Sequence, residues 1–594
     1  MALGIFTHPI GAFAQLDPDD PWPKYGGNEG NTCYTTIRGP HAPELRWYAP
    51  IAPSSPAVYH HSGVAIARID DVDYAIVGTP AAVAVTGGTA SVVSIYAIDD
   101  PGHSPSTPAT AVQTIELDDA ELIRSTPLVL PNRWIVVQTT QRLIAYDISG
   151  LPSSAPAFKW QSVELESNGA SPAYGHVTRF EETGTERVFA QGVIDDEIVV
   201  ISIDPTVTSM SDRSFEWVQA LRPYYTNWPV TNCPALGTLD DDDPLYDEDG
   251  VRLLYCATAG DPVASTDDHV FALFADGGTH GTASRIAWSY RMDDAHGNVT
   301  SGAFGSPGVH GSLSQTPDRV VVTSDDGGIY GFLNRSDLSG SSLRRWLKDG
   351  LDSFSRTAVL THDSDVLCSD EGTVLYHDRD DDTSLSEGGD VAIHKGNSVR
   401  GTPAGDAHRV YISTPGPSGS FADGQRLLAY CYSAGTPGTP SLSWRYLPPS
   451  TIRFDFLSSI AVSTSGVLLA VNDGYLVAVG PVRGDFNGDG CRNNFDIDPF
   501  ALALHEDPAE WETEYGAPFG LNVLGIGDCN GDGYFNNFDI DCFADLVVYD
   551  PYCAEDFIGP CGGEGDFGGE GRSAEEQWEY FWNRIAELYA AFNM

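Results

Sequence analysis

The stretch LIAYDISG (143–150), followed after a polar loop by FKW (158–160), is the clearest copy of a unit that recurs along the chain. An aliphatic and aromatic run at an Asp/Gly turn is followed by a second short run that ends on a Trp. Short runs rich in Val, Ile and Tyr between Gly, Pro and Asp clusters are typical of β-strands. Four more copies pair such a run with a later Trp: Ile198–Asp204 with Trp217, Val270–Phe274 with Trp288, Gly328–Leu333 with Trp346, and Leu427–Cys431 with Trp444.

The repeat predicts a mainly β fold from residue 44 to residue 480. Copies without the Trp at Val92–Asp99 and Thr373–His377, and a last copy at 473–479, bring the number of units to eight. Units of about 40–50 residues with four strands each are typical of β-propellers. The last copy lacks a closing strand, which we expect the segment 44–48 (ELRWY) to supply. The sequence therefore predicts an eight-bladed β-propeller closed by an N-terminal strand, with the recurrent Trp packed between blades.

The units resemble the repeats of pyrroloquinoline-quinone-type (PQQ-like) propellers. The resemblance rests on Ala145-Tyr146-Asp147, Gly150 and Trp160, and on the lead-in WPKYGGN (22–28). Quinone-dependent dehydrogenases of this type place two adjacent cysteines over the cofactor, and this chain has no adjacent cysteines. The resemblance thus implies a propeller and assigns neither a catalytic residue nor a cofactor-binding residue.

Two twelve-residue segments, Asp485–Asp496 and Asp528–Asp539, agree with each other at nine positions. Oxygen-bearing side chains at positions 1, 3, 5, 9 and 12, with Gly at position 6, are the pattern of an EF-hand-type calcium loop. Position 7 supplies its backbone carbonyl. The sequence predicts two Ca²⁺ sites, with the ligands Asp485, Asn487, Asp489, Cys491, Asn493 and Asp496 in the first loop and Asp528, Asn530, Asp532, Tyr534, Asn536 and Asp539 in the second.

Each loop leads into an apolar stripe at helical spacing, so we expect two helices that pack on each other. The stripes are Ile497, Phe500, Ala501 and Leu504, and Ile540, Phe543, Ala544 and Val547. A repeated loop–helix with Asp at position 12 and no entering helix resembles the type I dockerin module. The resemblance implies a cohesin-like partner bound through loop positions 10 and 11, which here are Asn494, Phe495, Asn537 and Phe538. A core role for the two Phe residues stays open.

The spacing of the two loops departs from the dockerin pattern. They begin 43 residues apart, longer than is usual for that family, and the excess falls in 505–527.

The composition excludes some classes of partner. With 32 basic against 83 acidic residues and a net charge of −51, the chain lacks the clustered Lys and Arg that a nucleic acid requires. No apolar run is long enough to span a bilayer. Cys553–Cys561 and Cys233–Cys256 could form local disulfides in an oxidising compartment.

The predicted domain organisation has five parts. They are a lead-in at 1–43 with a candidate signal peptide at 1–14, the propeller at 44–480, the dockerin-like domain at 484–550, a Gly/Glu-rich linker at 551–572 and an amphipathic helix at 573–594. The aromatic stripe of this last helix must be buried, and the sequence leaves open whether it docks on the protein itself or on a partner.

These features predict a secreted, extracellular or cell-surface, calcium-binding scaffold. In this interpretation the propeller binds a polysaccharide or protein ligand and the dockerin-like module attaches the chain to a partner. Two alternatives stay open: an enzyme, either quinone-dependent or polysaccharide-active, carried by a dockerin, and a structural subunit that self-assembles through its C-terminal helix.

Overall fold

The structure is a computed structural model of the chain. It describes residues 21–24, 27–28, 31, 33–51, 63–79, 83–85, 88–117, 121–123, 125–166, 170–177, 185–206, 213–223, 233–239, 243–245, 251–258, 269–291, 308–309, 319–323, 329–333, 335–337, 344–348, 359–360, 366–369, 373–377, 391–395, 402–414, 426–431, 441–446, 460–472, 475–549, 552–554, 557–558, 582–587 and 590. The candidate signal peptide 1–14 lies outside the described residues.

The protein is mainly β, with a small helical C-terminal region. The described residues form eight four-stranded antiparallel sheets. The first four sheets contain β2 (Val64–Ile69), β3 (Val72–Gly78), β6 (Val92–Ala97) and β7 (Gln113–Glu116); β8 (Leu128–Val129), β9 (Trp134–Gln138), β10 (Leu143–Asp147) and β11 (Ala157–Gln161); β12 (Ala173–Val177), β13 (Thr185–Ile194), β14 (Glu197–Ile203) and β15 (Trp217–Pro223); and β16 (Ala235–Thr238), β17 (Arg252–Thr258), β18 (His269–Phe274) and β19 (Ile286–Arg291). A small hairpin, β4 (Val83–Val85) with β5 (Gly88–Ala90), lies between β3 and β6 in the chain.

The second half of the β-domain repeats this arrangement. Its sheets contain β20 (Gly308–Val309), β21 (Arg319–Thr323), β22 (Ile329–Leu333) and β23 (Arg344–Lys348); β24 (Val359–Leu360), β25 (Val366–Ser369), β26 (Thr373–His377) and β27 (Val391–Lys395); β28 (Ala404–Gly405), β29 (Arg409–Thr414), β30 (Arg426–Cys431) and β31 (Ser441–Tyr446); and β32 (Ala461–Val462), β33 (Leu468–Asn472) and β34 (Tyr475–Pro481) with β1 (Pro43–Pro50).

The N-terminal strand completes the last sheet, as the sequence predicted. β1 pairs antiparallel with β34, from Pro43 opposite Pro481 to Pro50 opposite Tyr475. The pairing satisfies the backbone groups on the outer edge of β34, which would otherwise be exposed. It also brings the two ends of the β-domain together.

Neighbouring sheets share their cores. Within the described residues, apolar clusters join each of the first four sheets to the next, and one cluster joins the seventh, eighth and first sheets. The first strands of successive sheets also contact each other, for example β12 with β16 and β20 with β24, and β2 contacts both β8 and β32. The first sheet therefore has the second sheet on one side and the last sheet on the other.

The recurrent Trp packs between adjacent sheets, which confirms the packing interpretation for those that can be examined. Trp160 and Trp444 are fully buried, and Trp288 is nearly so. The indole N–H of Trp160 donates to Pro205 O at 3.3 Å, and that of Trp288 donates to Arg335 O at 2.8 Å. Each acceptor lies just after the third strand of the following sheet. Each of these indoles therefore contributes a hydrogen bond as well as apolar packing between the sheets.

The strand that carries the Trp does not end on it, contrary to expectation. β11, β19, β23 and β31 continue past the Trp, and β15 begins at Trp217. A small residue lies opposite the indole, as in the pairs Ala145 with Trp160 and Ala272 with Trp288, and the register shifts by one residue immediately beside it. The small partner and the bulge make room for the ring within the strand.

The C-terminal module follows β34 directly. Its elements are β35 (Cys491–Arg492), a 3₁₀ turn (Asn494–Asp496), α1 (Ile497–Ala501), a π-helical turn (Leu502–Glu506), α2 (Pro508–Trp511), a second π-helical turn (Glu512–Gly516), α3 (Ala517–Phe519), α4 (Val523–Gly527), a second 3₁₀ turn (Asn537–Asp539), α5 (Ile540–Tyr549) and β36 (Tyr552–Cys553). None of the described helices is long and apolar enough to cross a membrane.

The two predicted helical stripes pack on each other. Ile497 and Phe500 of the first repeat and Ile540 and Phe543 of the second are buried in one apolar cluster. Ile585, within the helical residues 582–587, is 3% exposed and belongs to the same cluster. Ile585 therefore docks on the protein itself. Trp582 of the predicted aromatic stripe is 51% exposed, so the expectation that the whole stripe is buried is wrong for this residue. The rest of the helix predicted at 573–594, apart from residue 590, lies outside the described residues.

The disulfide pairs differ from those considered from the sequence. Cys553 bonds to Cys491 rather than to Cys561, and Cys529 bonds to Cys542. Cys233 and Cys256 are buried thiols. Pairing β36 with β35 places Cys553 directly opposite Cys491, a long-range register that local spacing cannot reveal.

Candidate metal centre

The first loop wraps around the carboxylate of Asp485. Its Oδ1 accepts the amides of Gly488 and Asp489 at 2.9 and 3.1 Å, and its Oδ2 accepts the amide of Gly490 at 2.8 Å. Three successive backbone amides are therefore held by one side chain. Cys491 N donates to Asp489 Oδ1 at 2.8 Å, which directs the position-5 side chain inward over the same turn.

The second loop repeats this pattern bond for bond. Asp528 Oδ1 accepts Gly531 N and Asp532 N at 2.8 and 3.1 Å, and Oδ2 accepts Gly533 N at 2.9 Å. Tyr534 N donates to Asp532 Oδ1 at 2.9 Å. The agreement in sequence therefore corresponds to one local backbone structure formed twice.

The position-12 carboxylates close each loop. Asp496 Oδ1 accepts Phe486 N at 2.7 Å and its Oδ2 accepts Asn493 N at 2.9 Å. In the second loop Asp539 Oδ1 accepts Cys529 N at 3.1 Å and its Oδ2 accepts Asn536 N at 2.9 Å. Each carboxylate offers about four lone-pair sites, and the loop amides use three of them, two on Oδ1 and one on Oδ2. Both side chains therefore retain capacity for a cation on Oδ2.

The backbone conformation at position 6 explains why both loops have glycine there. Gly490 and Gly533 adopt φ values of +81° and +85°, in the left-handed region. A Cβ at Gly490 would lie 2.4 Å from the Phe557 ring. The sharp turn that brings positions 5 and 7 to the same side thus depends on glycine.

The position-9 residues have a second role. Asn493 Oδ1 accepts Phe495 N at 2.8 Å and Asn536 Oδ1 accepts Phe538 N at 2.9 Å, so each Asn caps the turn that begins the following helix. The sequence predicted these side chains only as calcium ligands. As a helix cap and as a candidate ligand, each Asn would use the same side-chain oxygen, Oδ1.

Burial of the loop carboxylates disfavours their charged forms. Burial, followed by the charge of Asp489, raises the pKa of Asp485 well above its usual range. Burial and the charge of Asp485 do the same to the pKa of Asp496. In the second loop, burial raises the pKa of Asp528 to about 6. Like charges held together away from water require a compensating cation or protons.

The donor set fits calcium better than a transition metal. It consists of carboxylate, amide and carbonyl oxygens, which Ca²⁺ prefers. Among the described residues, no three His, Cys, Asp or Glu side chains are already arranged as a metal shell. Of the six candidate ligands in each loop, two are asparagine side chains and one is a backbone carbonyl, so the shell would not consist of carboxylates alone.

The predicted partner-binding residues lie at the surface. Phe495 is 42% exposed and Phe538 is 66% exposed, whereas the Phe residues of the helix stripes are buried. Asn494 and Asn537 are partly exposed beside them. Their exposure therefore excludes a core role for Phe495 and Phe538.

Sequence analysis missed the contacts that hold the module on the β-domain. Arg409 donates to Gly520 O at 3.1 Å and to Phe519 O at 2.6 Å, and Arg38 donates to Leu521 O at 2.9 Å. The acceptors all lie in the extra residues 505–527. The unusual distance between the two loops was the signal that could have identified a docking segment.

His41 was also missed. Its Nε2 lies 2.7 Å from Asp485 Oδ2, and both side chains are fully buried. Burial, followed by the charge of Arg409, lowers the pKa of His41 to about 3, so the ring is neutral. With Asp485 ionised, as a metal ligand must be, the imidazole donates from Nε2.

The comparisons with known proteins leave the family open. Neither the protein-family models nor the curated proteins match the sequence. Among solved structures, Sqt1 of Chaetomium thermophilum matches with a TM-score of 0.47 and 12% identity, over 73% of this chain and 97% of that chain. A likeness at this level carries no argument about the function of the chain.

Proposed function

We propose that the chain is a secreted, calcium-binding scaffold in which an eight-bladed propeller is joined to a dockerin-like attachment module. The observation that carries the proposal is that two loops with the same hydrogen-bond pattern each present one exposed Phe, Phe495 and Phe538. A twofold-repeated surface of this kind suits attachment to another protein.

The β-domain supports the propeller part of the proposal. Four-stranded antiparallel sheets follow one another in chain order, share cores with their neighbours, and use an N-terminal strand to complete the last sheet. These are the features by which propellers avoid exposed edges. In this proposal the surface of the ring binds a polysaccharide or protein ligand.

The loops support the calcium part. Asp485, Asp489 and Asp496 would supply carboxylates in the first loop, and Asp528, Asp532 and Asp539 in the second. The asparagines at positions 3 and 9 and the carbonyls of Cys491 and Tyr534 would complete each shell. When bound, the ion would neutralise the crowded carboxylates and stabilise the module, since metal binding to such a loop is coupled to folding.

The disulfides of the C-terminal module support secretion. Cys491–Cys553 and Cys529–Cys542 both lie in the module. Disulfides persist in oxidising compartments and are rare in the cytosol.

The attachment role is tested by measuring binding of the full chain to an immobilised panel of cohesin domains. Surface plasmon resonance in calcium and again in EDTA gives the dependence on the ion. We expect binding in calcium only, abolished by the double substitution Phe495→Ala/Phe538→Ala.

Each single substitution should leave binding largely intact, because the other loop presents the same surface. The matched control is Phe158→Ala, since Phe158 is also 42% exposed but lies in the β-domain. Absence of binding to every cohesin domain, or binding that the double variant retains, would overturn the attachment role.

A further inference from the structure

The first calcium loop lies at the joint where the β-domain closes. β1 and β34 pair from Pro43 opposite Pro481, and Asp485 follows four residues after that pair. His41 precedes the same pair by two residues. The segment before β1 and the segment after β34 therefore run side by side at this edge of the last sheet. The hydrogen bond between His41 and Asp485 is the next contact between them beyond the strand pairing.

A second link lies beside the first. Glu44 Oε2 accepts the amide of Arg483 at 3.2 Å, and Arg492 Nη1 lies 3.4 Å from Glu44 Oε1 and donates to Arg483 O at 3.1 Å. Arg492 is position 8 of the first loop and is 2% exposed. Glu44 of β1 thus contacts Arg483, just before the loop, and Arg492, within it.

The second loop has no equivalent link among the described contacts. Asp528, the counterpart of Asp485, accepts only backbone amides there. The β-domain reaches this loop through Asp71, which accepts the hydroxyl of Tyr534, a residue that is 53% exposed. The two loops therefore share one internal structure and differ in what holds their first ligand.

We propose that His41 is a positioning residue for the first calcium site, so that calcium in this loop locks the joint between the first and last strands of the β-domain. The inference rests on the proposed calcium binding and goes beyond it, because it assigns the ion a role outside the module. A buried donor to a metal-binding carboxylate fixes the orientation of that carboxylate. Because His41 belongs to the segment that precedes β1, the hydrogen bond that orients Asp485 also holds this segment in place.

The first test measures each site separately by calorimetric titration of the full chain with CaCl₂. In an Asp532→Ala background only the first loop binds, and in an Asp489→Ala background only the second. We expect His41→Ala to weaken the first site about tenfold or more, as loss of such outer partners typically does, and to leave the second site unchanged. His41→Gln, which retains a donor, should weaken the first site less, and His505→Ala, at an exposed histidine of the module, should have no effect.

The second test needs no variant that might fail to fold. Hydrogen exchange of the unmodified chain, with and without calcium, should show slower exchange of the amides in β1 and β34 when calcium is bound. Asp489→Ala should abolish that change, and Asp532→Ala should preserve it.

The outcomes separate this inference from the proposed function. If neither loop binds calcium in the unmodified chain, the proposed function fails. If both bind but His41→Ala leaves the first affinity unchanged, or calcium leaves exchange in β1 and β34 unchanged, the positioning role of His41 is overturned.

Discussion

Phe500 and Phe543 stack face to face, with ring centroids 3.9 Å apart and planes inclined by 1°. They occupy the same position of the two loop–helix repeats, so the stack joins the repeats at their centre. Phe486 meets both rings edge-on, at 5.1 and 5.7 Å. The two twelve-residue loops are thus attached to one aromatic core.

Truncation of this stack should destabilise the module. We expect Phe543→Ala to lower the free energy of unfolding by about 3–5 kcal/mol, through lost burial and the cavity left beside Phe500. Urea denaturation in calcium measures the loss. Phe538→Ala is the matched control, because its ring is 66% exposed and should change stability by no more than about 0.5 kcal/mol. Equal losses in the two variants would contradict this account of the core.

Arg409 should be needed for docking of the module. Its buried guanidinium donates to the carbonyls of Phe519 and Gly520, and Arg409→Met would leave both acceptors without this partner. We expect a loss of about 2–3 kcal/mol, since hydrogen bonds from charged donors are worth more than neutral ones. Amide exchange in 516–527 should accelerate.

Arg409→Lys provides the comparison for that variant. It keeps the charge but cannot donate to two carbonyls with one planar group, so its loss should be intermediate. Unchanged exchange in 516–527 for both variants would show that the module is held by other contacts.

The β-domain should become less stable between about pH 4 and pH 6 because of Asp73. This carboxyl accepts Thr464 N at 2.8 Å and Arg68 Nη1 at 3.2 Å, yet burial raises its pKa to about 6. The folded state therefore binds a proton that the unfolded state releases near its ordinary pKa of 3.8. Stability is lost as the pH rises through this window.

Asp73→Asn isolates this contribution. Relative to the unmodified chain, the variant should gain stability between pH 4 and pH 8 by at most about 3 kcal/mol, at 1.36 kcal/mol for each pKa unit. Equilibrium unfolding at several pH values measures the difference between the two curves. Parallel curves would contradict a raised pKa for Asp73.

The two disulfides of the C-terminal module should contribute unequally to stability. Cys491–Cys553 closes a separation of 62 residues and Cys529–Cys542 one of 13. On the chain-entropy relation the first contributes about 4 kcal/mol and the second about 3 kcal/mol. Paired Cys→Ser variants, unfolded in calcium, measure both values. A larger loss from the shorter bridge would show that native contacts, rather than loop closure, set the difference.

Features encoded by local sequence could be predicted. The loops follow from oxygen spacing and glycine, the helix stripes from periodicity, and the completion of the last sheet from a unit that lacks its last strand. The contact between His41 and Asp485 could not be predicted, because it joins residues 444 positions apart and no local pattern marks His41. The pairing of Cys553 with Cys491 depends in the same way on a register that forms only in the folded module.

The most direct test of the central claim counts calcium ions on the full chain by native mass spectrometry after calcium loading and removal of excess ion. The account predicts two ions on the unmodified chain, one on Asp489→Ala, one on Asp532→Ala and none on the double variant. An unmodified chain without bound calcium, or a double variant that still carries two ions, would contradict it.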